Sequence, residues 1–151
     1  MFKDLIGKQS SKVKNVVERG AVKKFVEAIG DLHPIYFDED TGRLSRYKNN
    51  LAPPTPTFPR VLDYGVIEGF HLPDKGLIHG EESYHYERPL MVGEEVYCYS
   101  IVKKYSEKKG SFGEMGFLVL ESFGEDLDGN TIFSSISTIV ISEAVKRGME
   151  K

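Results

Sequence analysis

Residues 95–142 read EVYCYSIVKKYSEKKGSFGEMGFLVLESFGEDLDGNTIFSSISTIVIS, and the fold turns on this stretch. Three runs, Glu95–Tyr105, Gly116–Glu125 and Thr131–Ser142, are rich in Tyr, Val, Ile, Phe and Thr, the residues that suit a pleated, half-buried surface. The gaps KKGSFG and DLDGN carry turn chemistry. A fourth run, ESYHYERP (Glu82–Pro89), precedes them. The pattern predicts four strands joined by short turns in an antiparallel sheet. Cys98 sits in the apolar pattern of one run and reads as a buried strand residue. DLDGN resembles the opening of a calcium loop, but position twelve counted from Asp126 is Ser137 rather than Glu, so it reads as a hairpin turn.

Upstream the pattern changes to helices. In VVERGAVKKFVEAI (Val16–Ile29), Val22, Phe25, Val26 and Ile29 recur at i, i+3, i+4 and i+7, and Gly30 stops the helix. A second, short helix is expected from about Asp38 to Tyr47, with Asp38 as its N-cap and acids in its first turn. In LAPPTPTFPRVLDYGVIEGF, Pro53, Pro54 and Pro56 favour an extended segment, while Pro59 suits the first turn of a helix capped by Thr57 or Phe58. That helix, Pro59–Phe70, is apolar nearly all round and is expected to be buried. Helices followed by an antiparallel sheet make an α+β plan, with the sheet wrapped around the buried helix. The 151 residues are expected to form one domain, residues 1–151, without internal repeats.

Composition narrows the function classes. The net charge of −3, from 20 basic and 23 acidic residues spread along the chain, gives no broad positive field for a phosphate backbone, so no nucleic-acid partner is expected. The basic cluster Lys103, Lys104, Lys108 and Lys109 reads as a solvated face that an anionic ligand tail or carrier protein could meet. No apolar run approaches a membrane span, MFKDLIGKQSSK lacks the apolar core of a secretory signal, and a single cysteine forms no internal disulfide. A cytoplasmic protein without metal or cofactor is the expectation.

Two stretches carry candidate chemistry. GDLHPIYFDED (Gly30–Asp40) places Asp31 and His33 after a helix end, with Pro34 holding the loop extended; it reads either as an acid/base site or as a capped structural loop. LIHGEESYHYERPLMVGE offers His79, Glu81, Glu82, His85 and Glu87, but their spacing fits no standard zinc pattern. In a strand, His85 and Glu87 share one face and Tyr84 and Tyr86 the other.

Three stretches, FVEAIGDLHPIYFDED, LAPPTPTFPRVL and LIHGEESYHYERPLMVGEEV, together resemble the MaoC-like dehydratase family, in particular its amino-terminal, fatty-acid-synthase-like type. The resemblance implies a hotdog fold, an antiparallel sheet wrapped around a long central helix. It also implies an (R)-specific enoyl-thioester hydratase or 3-hydroxyacyl-thioester dehydratase acting on acyl-CoA or acyl-ACP, as a homodimer or as a heterodimer with another hotdog subunit. In active relatives the catalytic loop is D-x-N-P-x-H; here Asp31 and Pro34 match, His33 stands for the Asn and Tyr36 for the His. The resemblance therefore points to Asp31, His33 and Tyr36 as catalytic positions and to Pro54, Thr55, Phe58, His79 and Gly80 as substrate-binding ones. Three roles remain open: an enzyme in its own right, a substrate-holding subunit whose partner carries the complete pair, or an acyl-binding module without catalysis.

Overall fold

The computed structural model describes residues 2–55, 58–111 and 113–150. In chain order its main elements are β1 (Val13–Val16), α1 (Arg19–Ile29), α2 (Glu39–Leu44), β2 (Leu77–Tyr86), β3 (Glu95–Gly110), β4 (Gly113–Glu125), β5 (Thr131–Ile141) and α3 (Glu143–Met149). All strand pairs are antiparallel, in the order β1-β3-β4-β5-β2. The three expected strands of residues 95–142 form, and DLDGN makes their second turn: the Asp126 carboxylate accepts from the N–H groups of Asp128 and Asn130, both at 2.9 Å. Gly129 there takes φ +82°, which a side chain would resist.

The sheet departs from a four-strand meander in two ways. A fifth strand, β1, pairs with β3, so residues assigned to the start of the first helix are extended and α1 begins only at Arg19. Strand β2 starts at Leu77, five residues before the expected run, and pairs with β5 instead of β3. Residues 87–94 must therefore cross three strand spacings, about 14 Å, along the end of the sheet. Eight residues suffice for that span.

The helix seated on the sheet is α1. Val22 and Val26 on its inner stripe are fully buried in one core cluster with Val96, Cys98 and Phe133 of the sheet, each contributing about 2 kcal/mol of apolar burial. Ile29 at the end of the stripe is 45% exposed. Eleven residues make a helix of about 16 Å, shorter than a long central helix.

The expected helix over Pro59–Phe70 does not form; only a 3-10 turn at Phe58–Val61 is present, and Val66 is 78% exposed. Tertiary partners take the place of helical hydrogen bonds. Asn15 Oδ1 accepts from the Asp63 N–H at 2.8 Å, and Asn15 Nδ2 donates to the Asp63 carbonyl at 2.9 Å, clasping the segment to β1. Gly65 lies so close to Ser11 that a Cβ there would overlap its carbonyl oxygen. Thr57, one of the two proposed caps, lies outside the described residues. Helix α2 does form with Asp38 as its N-cap, Oδ2 accepting from the Thr41 N–H at 2.9 Å, but it stops at Leu44 rather than Tyr47. Among the described residues no helix is long and apolar enough to cross a membrane.

Candidate functional site

The loop after α1 is built by successive caps. Gly30 adopts the left-handed conformation that ends the helix, and the Asp31 N–H donates back to the Val26 carbonyl at 3.0 Å. Asp31 Oδ1 then faces the His33 N–H at 3.4 Å. His33 caps a 3-10 turn at Pro34–Tyr36, its Nδ1 accepting from the Ile35 N–H at 3.1 Å. An Nδ1 that accepts leaves the proton of the neutral ring on Nε2. His33 therefore presents a donor, not a base, while the turn is intact.

This turn brings Asp31, His33 and Tyr36 together. The His33 and Tyr36 rings meet edge-on with centroids 6.1 Å apart, and Tyr36 packs its partly buried ring on the α1 core. Burial, followed by the Asp31 charge and hydrogen bond, raises the Tyr36 hydroxyl above the usual tyrosine range. Tyr36 thus holds its proton at neutral pH and serves as a donor beside a carboxylate.

One residue that the sequence patterns did not single out fixes the loop from beneath. Asn50 is 2% exposed, yet its polar atoms have partners: Nδ2 donates to the carbonyls of Ile35 at 2.9 Å and Asp38 at 2.7 Å, and Oδ1 accepts from Arg19 at 2.9 Å. Gly42 leaves room for this amide, since a Cβ there would stand 2.6 Å from Asn50 Nδ2. An Asn beside another Asn gives no sequence signal for such a role.

The expected substrate-binding positions separate into two places. Phe58 is 1% exposed and meets Phe25 edge-on at 5.3 Å, so it is enclosed in the core. Pro54 is exposed, and Thr55 lies between the two with a buried Oγ1 that has no partner among the described residues. The Thr55 carbonyl accepts from the Tyr86 hydroxyl at 3.0 Å. Gly80 is the bulged residue of β2, between His79 and Glu81, and a Cβ on it would press on Val140. His79 Nε2 lies 3.4 Å from Glu82, which also pairs with Arg60 at 3.5 Å and accepts from the Tyr84 hydroxyl at 3.0 Å. Alternation along β2 puts Glu82, Tyr84 and Tyr86 on the inner face and leaves His85 outside, paired with Glu87 at 2.9 Å. That alternation, readable in the sequence, separates Glu82 from the other candidates of this stretch and groups it with Tyr84 and Tyr86.

Comparison with known proteins places the fold in a class. The chain superposes on a C-terminally truncated HadBC, a (3R)-hydroxyacyl-ACP dehydratase complex from Mycobacterium tuberculosis, with TM-score 0.70 and 18% identity, covering 93% of this chain and 99% of that one. It also superposes on the MaoC-like dehydratase from Rhodospirillum rubrum with TM-score 0.68 and 20% identity, covering 91% and 92%. The fold is that of the hotdog dehydratases. Residues 4–135 match the family model described as the FAS1-like dehydratase domain region, and the chain belongs to that family. A relative called a UPF0336 protein, from Clavibacter michiganensis subsp. michiganensis (strain NCPPB 382), is 30% identical over 132 residues, 83% of this chain and 85% of the relative.

Proposed function

We propose that this chain, working as a homodimer, binds acyl thioesters of coenzyme A or acyl carrier protein and interconverts trans-2-enoyl and (R)-3-hydroxyacyl groups. The observation that carries the reading is the juxtaposition of Asp31 with a proton-holding Tyr36 on a loop pinned by Asn50. In hydration, Asp31 takes a proton from water as its oxygen bonds to C3, and Tyr36 gives a proton to C2. Transfer of the proton from Asp31 to Tyr36 then closes the cycle. Charge building on the thioester oxygen needs a donor, a role open to His33 Nε2–H or the Thr55 hydroxyl. Membership of the dehydratase family and the likeness to HadBC support this assignment.

Tyr36 also favours a second reading. A phenol held above its usual range is a poor base, so the chain would hold substrate while a partner hotdog subunit supplies a complete Asp/His pair. HadBC is itself a complex, and β2 at the sheet margin pairs only with β5 among the described residues, leaving an edge for a second subunit. The same edge would serve a homodimer.

The test is hydration of crotonyl coenzyme A by the purified chain. Turnover abolished by Asp31→Asn and raised by Tyr36→His supports the first reading. An unchanged rate in Tyr36→His counts against Tyr36 in the catalytic position. Turnover absent alone and restored by a second hotdog protein supports the other.

A further inference from the structure

The inner face of the sheet is not apolar throughout. Strand register places Tyr84, Ser135, Ser122 and Ser100 in one row across four strands, and Glu82, Ser137 and Leu120 in the next. These rows lie between two separate apolar clusters, one around α1 and Phe133, the other around Leu118, Val102 and Ile141. The inner face of a sheet under a helix is ordinarily the dry, hydrophobic one. Here a cavity of about 230 Å³ stands over the polar rows, roofed by Arg60 and Tyr64. A second cavity of about 280 Å³, which shares Arg60 and Ser137 with the first, includes Leu77, His79 and Ile139.

The strongest polar groups around this groove are already engaged with one another. Glu82, whose side chain is 13% exposed, is met by Arg60, His79 and the Tyr84 hydroxyl, and the Tyr64 hydroxyl donates to the Pro59 carbonyl at 3.0 Å. Glu82 offsets the charge of Arg60 at 3.5 Å, so the pair presents no net positive charge to a carboxylate. The serine hydroxyls are neutral, and Ser135 is 6% exposed. The Ser100 and Ser122 hydroxyls already bond each other at 2.7 Å, but a saturated chain laid along Ser137 would strip its water and return no hydrogen bond, an unfavourable exchange for a hydroxyl taken out of water.

We propose that the acyl group held in this groove is short, or carries a hydroxyl or other neutral hydrogen-bonding group beyond the reacting carbons, and that long saturated chains are disfavoured. This inference rests on the thioester reading and adds the substrate class to it. The experiment is calorimetric binding of butanoyl, ω-hydroxyhexanoyl, hexanoyl and decanoyl coenzyme A to the full chain.

Expected is binding of the butanoyl and ω-hydroxyhexanoyl thioesters roughly ten-fold more tightly than decanoyl, the worth of about one hydrogen bond. Hexanoyl falls below its hydroxylated counterpart. In Ser137→Val the preference of the hydroxylated over the plain hexanoyl thioester disappears. Equal or tighter binding of decanoyl overturns the inference while leaving the thioester reading intact. Binding of none of the four overturns the thioester reading, and the inference with it. The unaltered chain decides between these outcomes without relying on the variant.

Discussion

Asn50 is the residue on which the candidate loop depends most. Its amide joins three parts of the chain, the start of α1 through Arg19, the 3-10 turn through Ile35 and the cap of α2 through Asp38. The Ile35 and Asp38 carbonyls also accept backbone N–H groups from Leu51 and Gly42, so the loss of Asn50 would leave them partly satisfied. Asn50→Leu keeps the volume and removes the bonds; it is expected to lower stability by about 2 kcal/mol. The amides of residues 35–38 are expected to exchange faster with solvent. Urea denaturation and hydrogen exchange measure these two effects. An unchanged midpoint together with unchanged exchange would show that Asn50 does not hold the loop. No periodicity marks this residue, because a buried amide is recognised by its partners, and these lie 12, 15 and 31 positions away.

At the scale of elements, the segment after the prolines shows where sequence pattern and structure part. Val61, Leu62, Tyr64, Val66, Ile67 and Phe70 give composition without a period, and composition alone does not choose between a buried helix and an extended strap. What decides is contact with residues far away in the chain, Asn15 against Asp63 and Ser11 against Gly65. Gly65→Ala is expected to cost about 2 kcal/mol, because the strap cannot be seated without moving Ser11. Thermal unfolding of this variant, with far-ultraviolet circular dichroism confirming unchanged helix content, measures the cost. A melting temperature equal to that of the unaltered chain would show that the close approach is not required. Strands β3, β4 and β5 were legible because each is long, rich in β-branched and aromatic residues and bounded by turn chemistry. Strand β1 was not, since four residues with two polar side chains carry too little pattern. Asp31, His33 and Tyr36 are singled out by the order of the motif that carries the resemblance, whereas the state of Tyr36 depends on burial and on Asp31, which only the folded chain sets.

Across the whole molecule, the tyrosines and the single cysteine make the sheet sensitive to alkali. Burial pushes the Cys98 thiol from 9.0 up to about 12. Burial, then hydrogen bonds to Glu125 and Glu107 respectively, pushes Tyr99 and Tyr105 from 10.0 up to about 12. In each case the folded chain holds its proton more tightly than the unfolded chain. Their contribution to stability is therefore complete below pH 9 and declines as the unfolded state releases protons that the folded state keeps. The decline begins near pH 9 with the thiol, steepens above pH 10 as the tyrosines join and ends near pH 12. Melting temperature measured from pH 7 to 12 is expected to be flat in these groups below pH 9 and to fall above it. Cys98→Ala lowers stability at every pH through the space it leaves, but it removes the earliest part of the decline, so the fall should start about one pH unit later. A variant whose melting curve fell in parallel with that of the unaltered chain between pH 9 and 10 would show that the thiol is not the group titrating there. Cys98 shares one buried cluster with Val22 and Val26 of α1, so its ionisation is linked to the opening of that core.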